Sequence, residues 1–323
     1  MSITVDVHLD NVDWGPALRA DVLDGLTRHP KELPPKWFYD KRGSELFDQI
    51  TRLPEYYPTG AERQILTDRA AEIARLSGAD TLVELGSGTS DKSRVLLSGM
   101  AAAGALVRYI PFDVSEATLR DAAAALADEY DGLEVHAVVG DFDHHLELIP
   151  RQGKRLVAFL GSTIGNFEPD ARVDFLRRLA ATMNPGDDLL LGVDLVKDPH
   201  RLVLAYDDPT GVTAAFNKNV LVVVNRELGA DFDLGAFDHE AVYEPDAEWI
   251  EMRLRSRDRQ RVFIDALDLT VDFAAGEAMR TEISAKFRRD GIESELGDAG
   301  LTPTGWWTDR PGDFALVLAR RQG

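Results

Sequence analysis

Two glycines one residue apart, Gly86 and Gly88, follow the short apolar run Thr81-Leu82-Val83 and the acid Glu84. A strand that feeds such a turn leaves its backbone bare, so a nucleotide-like ligand can approach closely at the start of the next helix. Dinucleotide folds and S-adenosylmethionine folds both use this turn, and plain turn glycines would look the same. Three further points follow at the ends of later apolar runs. Asp113 ends Ile110-Pro111-Phe112, 27 residues after Gly86, where an acid ordinarily accepts from both ribose hydroxyls. Asp141 and Phe142 end the next run, where a carboxylate could accept from an adenine amino group while the ring packs on the base. After a fourth run, Gly161-Ser162-Thr163-Ile164-Gly165-Asn166 supplies hydroxyls and an amide.

Each residue also has a plainer reading. Asp113 or Asp141 alone would serve as a helix N-cap or turn residue; both in register at successive strand ends weaken that reading. Lys92, in the helix after the glycines, reads equally as a solvated lysine. The third glycine of the dinucleotide fingerprint is missing, because position 91 is Asp. Acids near the turn suit a cationic sulfonium better than an anionic pyrophosphate, so the cofactor expected is S-adenosylmethionine. The Asn-Pro-Pro-aromatic tetrapeptide of many nucleic-acid amino-methylating enzymes does not occur.

An acceptor site needs other groups. Tyr39, Tyr56, Tyr206 and Asn166 offer hydroxyls and an amide without fixed charge. Glu282 and Ser284 are two apart, hence on one face of an extended segment. A carboxylate beside a hydroxyl can hold an imidazole, one group accepting from its N–H and the other adapting to its second nitrogen. The same pair could equally be the wet face of an exposed strand.

The elements that must position these residues alternate strand and helix between about 81 and 194. Each strand reads apolar on both faces, and the crossovers are helical. That pattern predicts an α/β fold with a doubly wound, Rossmann-like parallel sheet, and Phe314-Ala315-Leu316-Val317 looks like part of a closing strand pair. The rhythm changes near Lys197: 198–225 reads as helix and 248–273 as alternating, hairpin-like strand. Residues 1–30 read as helix, followed by a loop dense in rings. The expected division is a methyl-donor domain of 60–196 and 286–323, with an α+β substrate domain of 1–59 and 197–285.

Composition narrows the function further. With 36 Lys+Arg against 56 Asp+Glu, the net charge of −20 repels phosphates and anionic membranes. No cysteine is present, which removes disulfides, thiolate metal sites and a cysteine nucleophile. Adjacent His144 and His145 point apart on a regular element, so no metal is expected. The absence of a signal-like start and of a long apolar run predicts a cytoplasmic protein. The expected partner is a small molecule, with no nucleic acid and no membrane, and the chain is read as a monomer.

The segments LPPKWFYDKRGSELFDQITRLPEYYPT, VELGSGTSDK, FLGSTIGNF, RLVLAYDD, GVTAAFNKNVL and TEISAKF together resemble the histidine-specific Nα-methyltransferases of ergothioneine biosynthesis, essentially from residue 30 onward. The resemblance implies three methyl transfers from S-adenosylmethionine to the α-amine of L-histidine, giving trimethylhistidine (hercynine). It implies that Gly86, Lys92, Asp113, Asp141 and Phe142 line the cofactor site. Asn166, Tyr39 and Tyr206 would hold the amino-acid head, with Tyr39 and Asn166 at the reacting nitrogen. Tyr56 would position the substrate, Glu282 and Ser284 would take the imidazole, and Met252 and Phe47 would line the pocket. Departures from the family pattern, Phe167-Glu168 and Ala285, fall outside these positions. The rival readings are an S-adenosylmethionine enzyme for another aromatic amino acid or amine and, more distantly, an NAD-dependent oxidoreductase or a ligand sensor.

Overall fold

Apolar runs without polar alternation can be covered on both faces only inside a sheet flanked by helices. The computed structural model, which describes residues 2–8, 11–88, 91–142 and 144–323, follows that rule. The chain opens with β1 (Ser2–Val7), α1 (Asn11–Thr27), α2 (Lys41–Ile50) and α3 (Tyr57–Ser77). Strand and helix then alternate through β2 (Thr81–Leu85), α4 (Asp91–Ala102), β3 (Arg108–Asp113), α5 (Glu116–Glu129) and β4 (Glu134–Val139). They continue through β5 (Arg155–Phe159), α6 (Pro169–Thr182) and β6 (Asp188–Asp194). Next come α7 (Pro199–Tyr206), α8 (Val212–Leu228), β7 (Phe237–Glu244), β8 (Trp249–Ser256), β9 (Gln260–Ile264), β10 (Leu269–Phe273) and β11 (Ala278–Ala285). The chain closes with α9 (Arg289–Asp298), β12 (Leu301–Thr308) and β13 (Phe314–Arg321).

Internal contacts divide the chain into one unit of Met1–Asp10, Pro58–Leu195 and Phe287–Gly323, and another of Asn11–Tyr57 and Val196–Lys286. In the first unit, eight strands among the described residues form one sheet in the order β1-β4-β3-β2-β5-β6-β13-β12. The strands from β1 to β6 pair in parallel, and β13 and β12 close the sheet antiparallel. Every residue of β2, β5 and β6 is buried. The chain leaves β2 on one side towards β3 and returns on the other at β5, which makes a topological switch point there. Ligands of such sheets bind beyond the carboxyl ends of the strands at that point.

The opening strand corrects the helical reading of 1–30 and its grouping with 197–285. Ser2–Val7 pairs along the edge of β4, and His136 Nε2 lies 2.6 Å from Asp6 Oδ2. Helix begins only at Asn11. Six residues are too few for periodicity to separate strand from helix; the free edge of β4 decides.

The second unit packs α1, α2, α7 and α8 with a three-stranded antiparallel sheet, β11-β8-β7, and the hairpin β9-β10. In β8, Ile250, Met252, Leu254 and Ser256 are buried while the residues between them are half-buried. This period of two puts the apolar face on a core of Leu18, Val22, Phe38, Phe216 and Val220. On the other face Arg253 pairs with Glu244 and Glu251. The stretch expected as alternating, hairpin-like strand supplies β8 to one sheet and the β9–β10 hairpin to another. The stretch expected as one helix breaks at 207–211, where Asp208 accepts from Thr213 N at 2.7 Å and Val212 N at 3.2 Å and so starts α8.

Candidate active site

The first unit gathers its expected residues at the carboxyl edge of the sheet. Gly86 and Gly88 adopt left-handed backbone, with φ of 70° and 48°, a conformation that costs a side chain dearly. Gly86 N donates to Phe112 O at 2.8 Å, and Gly88 N to Asp113 Oδ2 at 3.0 Å. Asp113 Oδ1 accepts from Ser115 N at 3.0 Å. The turn reading of Asp113 thus holds: the acid ties the glycine turn to the end of β3. Burial pushes its carboxyl up from the ordinary range, against the backbone N–H groups that stabilise the anion.

Phe142 packs beneath this turn, its ring stacked 5.7 Å from Phe112 and edge-on to Phe159 at 5.5 Å. Asp141 Oδ1 accepts from His144 N at 2.8 Å, holding the loop after β4. Asn166 ends the short 3-10 helix Thr163–Asn166 beyond β5 and is half-buried. Lys92 Nζ donates to Glu62 Oε2 at 2.5 Å, and Glu62, fully buried, also accepts from Gly161 N at 2.8 Å. The lysine therefore anchors the strand-end loop through an acid that the sequence reading did not single out. Thr89 and Ser90, the expected helix start, lie outside the described residues.

The turn offers what a nucleoside-bearing sulfonium needs. Its bare backbone is open at Gly88, where a Cβ would meet nothing within 4 Å among the described residues. Ser87 Oγ is buried without a hydrogen-bond partner among the described residues. Glu84, beneath the turn, accepts from Tyr109 Oη at 2.5 Å and from Ser93 Oγ. Burial pushes its carboxyl up to about 7, against those two hydrogen bonds.

The second unit brings its expected residues together. Tyr39, Phe47, Tyr56 and Tyr206 form a chain of edge-to-face rings with centroids 5.5, 6.3 and 6.1 Å apart. The chain leads to β11, where Tyr206 Oη lies 2.7 Å from Ser284 Oγ. Glu282 stands opposite Met252 in the β11–β8 register and Ser284 opposite Ile250; directly opposed residues share a face. Glu282, Ser284 and Met252 therefore line one side of the sheet. Glu282 is half-buried, not on a wet face, and Ser284 is buried.

Three supporting groups were not legible beforehand. Lys286 Nζ donates to Ser284 Oγ at 2.8 Å and to Tyr206 Oη at 3.1 Å; strand alternation through 282 and 284 was the available signal. His239 Nε2 donates to Tyr206 O at 2.8 Å while its Nδ1 accepts from Asn217 Nδ2 at 2.8 Å. Burial lowers the His239 pKa, keeping a neutral ring in that role. Asn219 Nδ2 donates to Phe38 O at 2.9 Å and Asp40 Oδ1 at 2.8 Å, clamping the backbone on both sides of Tyr39. No local pattern announces His239 or Asn219.

Comparison with known proteins agrees in kind. A family model described as histidine-specific methyltransferase, SAM-dependent, matches residues 18–321. The histidine N-alpha-methyltransferase of Mycolicibacterium smegmatis is 64% identical over 321 residues, 99% of this chain and 100% of that protein. That of Mycobacterium tuberculosis is 59% identical over the same lengths. Ergothioneine biosynthesis protein 1 of Neurospora crassa is 30% identical over 86% of this chain and 32% of its own length.

Proposed function

The chain belongs to the histidine-specific, S-adenosylmethionine-dependent methyltransferase family, and from that premise we propose that it methylates the α-amine of L-histidine three times. The product is Nα,Nα,Nα-trimethylhistidine, and the reaction is a step of ergothioneine biosynthesis. The pathway assignment draws on the Neurospora crassa relative's name.

The observation that carries the reading is the ring chain Tyr39–Phe47–Tyr56–Tyr206, ending at the hydroxyl of Ser284 with Glu282 on the same strand face. S-adenosylmethionine supplies an electrophilic methyl on a sulfonium, and the rest is alignment and exclusion of water. The acceptor nitrogen must lose its proton before each transfer. Hydroxyls and an amide hold an amine without the strong carboxylate that would keep it an ammonium. After the third transfer the nitrogen is a permanent cation without N–H, and aromatic faces favour such a cation by about 0.5–2 kcal/mol.

Within this proposal Gly86, Asp113, Asp141 and Phe142 hold the donor, and Lys92 keeps the neighbouring loop in place through Glu62. Tyr39, Tyr206 and Asn166 take the amino-acid head. Glu282 and Ser284 take the imidazole, and Phe47, Tyr56 and Met252 enclose it. Tyr39 passes the proton to water. The first structural unit is thereby the donor domain and the second the substrate domain, in a monomeric enzyme. A cytoplasmic location fits a chain without cysteine.

Mass spectrometry of histidine incubated with the protein and S-adenosylmethionine tests the reaction. Successive gains of one, two and three methyls are expected; a product halted at one or two overturns the trimethylation. Turnover of tryptophan or another aromatic amino acid in place of histidine would favour the rival substrate.

A further inference from the structure

Asn217 and Asn219 are two apart on α8, so their side chains leave the helix about 200° apart, on opposite sides. Both are buried, and each spends both hydrogens of its side-chain amide. Asn219 Nδ2 donates to Phe38 O at 2.9 Å and to Asp40 Oδ1 at 2.8 Å. Tyr39 is the residue between those two acceptors. A Cβ at Gly43 would stand 1.6 Å from Phe38 O and 2.9 Å from Asn219 Nδ2, so this approach of α2 to α8 needs glycine. Arg226, further along α8, donates to Asp40 Oδ2 at 2.7 Å.

On the other side Asn217 works towards Tyr206. Its Oδ1 accepts from Thr281 Oγ1 at 2.6 Å, which turns Nδ2 to His239 Nδ1 at 2.8 Å and Arg253 O at 3.1 Å. Facing an amide donor, Nδ1 is the bare nitrogen of the ring, and Nε2 carries the hydrogen. That hydrogen goes to Tyr206 O at 2.8 Å. Phe216, next to Asn217, sets its ring 5.4 Å from that of Tyr39. One helix therefore holds the backbone at both tyrosines. A helix has a fixed rise and a packed interior transmits displacement, so the two attachments keep their interval.

We propose that Asn217 and Asn219 are positioning residues, and that α8 is a spacer fixing the interval between Tyr39 and Tyr206 and with it the place of the acceptor nitrogen. The proposal rests on the reading of both tyrosines as the groups that take the amino-acid head. Methyl transfer needs its nitrogen in line with the donor, and a misplacement of about 1 Å costs about a hundredfold. Each asparagine acts through the tyrosine it holds.

Double-mutant cycles on kcat/KM for histidine test this, because residues that act through one another are not additive. Asn219→Ala is expected to lower kcat/KM by about tenfold in the parent, but by less than about twofold in a Tyr39→Phe background. Asn217→Ala should behave likewise in the parent and in a Tyr206→Phe background. A merely structural role costs the same factor in both backgrounds, and equal factors in either cycle overturn the proposal. Where an alanine variant does not fold, Asn219→Ser or Asn217→Ser keeps one donor without crowding the core. A smaller loss in the parent is then expected, and none in the phenylalanine background; equal factors again overturn it. The single variants Tyr39→Phe and Tyr206→Phe separate the two readings. If either leaves kcat/KM unchanged, the head assignment fails at that tyrosine and the spacer role falls with it. If both lower it while the cycles are additive, only the spacer role fails.

Discussion

Tyr206 Oη and Ser284 Oγ meet at 2.7 Å across 78 residues of sequence. One is the last residue of α7 and the other lies near the end of β11. The hydroxyl assigned to the amino-acid head and the one assigned to the imidazole thus share a proton. On the proposed assignment one buried cluster would read both substrate charge and ring identity, so a change at either residue should disturb both.

Glu282→Ala removes the carboxylate from the face that also carries Ser284 and Met252. kcat/KM for histidine is expected to fall by about a hundredfold or more, because a site built around a hydrogen-bonded ring loses that bond. Steady-state kinetics with histidine measures this, with calorimetry of S-adenosylhomocysteine expected to show unchanged binding. Undiminished histidine turnover would remove the imidazole assignment.

Tyr39→Phe keeps the ring that packs on Phe47 and Phe216 and deletes only the hydroxyl. A loss of about tenfold or more in kcat is expected if that hydroxyl carries protons from the amine. The loss should shrink as pH rises and the free amine becomes common. If instead one acidic residue other than Glu282 abolished most of the rate at high pH, the amine would have a dedicated base and this route would be wrong.

Lys92→Met strands the carboxylate of Glu62, which is fully buried and bonded to Gly161 N. Removing one partner of such a pair costs about 3 kcal/mol, less where the lysine reaches solvent. Urea unfolding should show the loss, and cofactor affinity should fall with it as the loop after β5 loosens. The double variant Lys92→Met with Glu62→Gln should recover much of the stability; failure to do so would mean that Lys92 acts by some other contact.

Glu84 gives a pH signature. Its carboxyl is pushed up to about 7 by burial, whereas in the unfolded chain it titrates near 4.3. Between those values the folded state binds more protons than the unfolded state, so stability is lost as pH rises through about 7. The effect is on the order of 3 kcal/mol for a shift of this size. Unfolding measured at pH 5 and pH 8 should show Glu84→Gln losing less stability over that interval than the parent; equal slopes would place the titration elsewhere.

Legibility followed the range of the interactions. β2, β3 and β4 with their terminal glycines and acids could be read because each signal lies within a few residues: an apolar run, a turn, an acid. Asp113 illustrates the limit, since its ribose reading was local while its bonds to Gly88 N and Ser115 N needed the β2–β3 register. Ser2–Val7 was missed because its strand character comes from the edge of β4. Lys286 was passed over although it continues the alternation of Glu282 and Ser284, because a lysine at a strand end ordinarily reaches water.

By itself the sequence determined the glycine turn, the α/β alternation and, through its resemblance, the histidine-specific methyltransferase family. Those depend on short-range periodicity, on glycine's access to positive φ and on recognisable residue strings. Only the tertiary structure decided that Glu62 answers Lys92, that three rings lead to Tyr206, and that Lys286 donates to two hydroxyls. These contacts join residues between 2 and 150 positions apart, and burial, which no local pattern sets, gives each its strength.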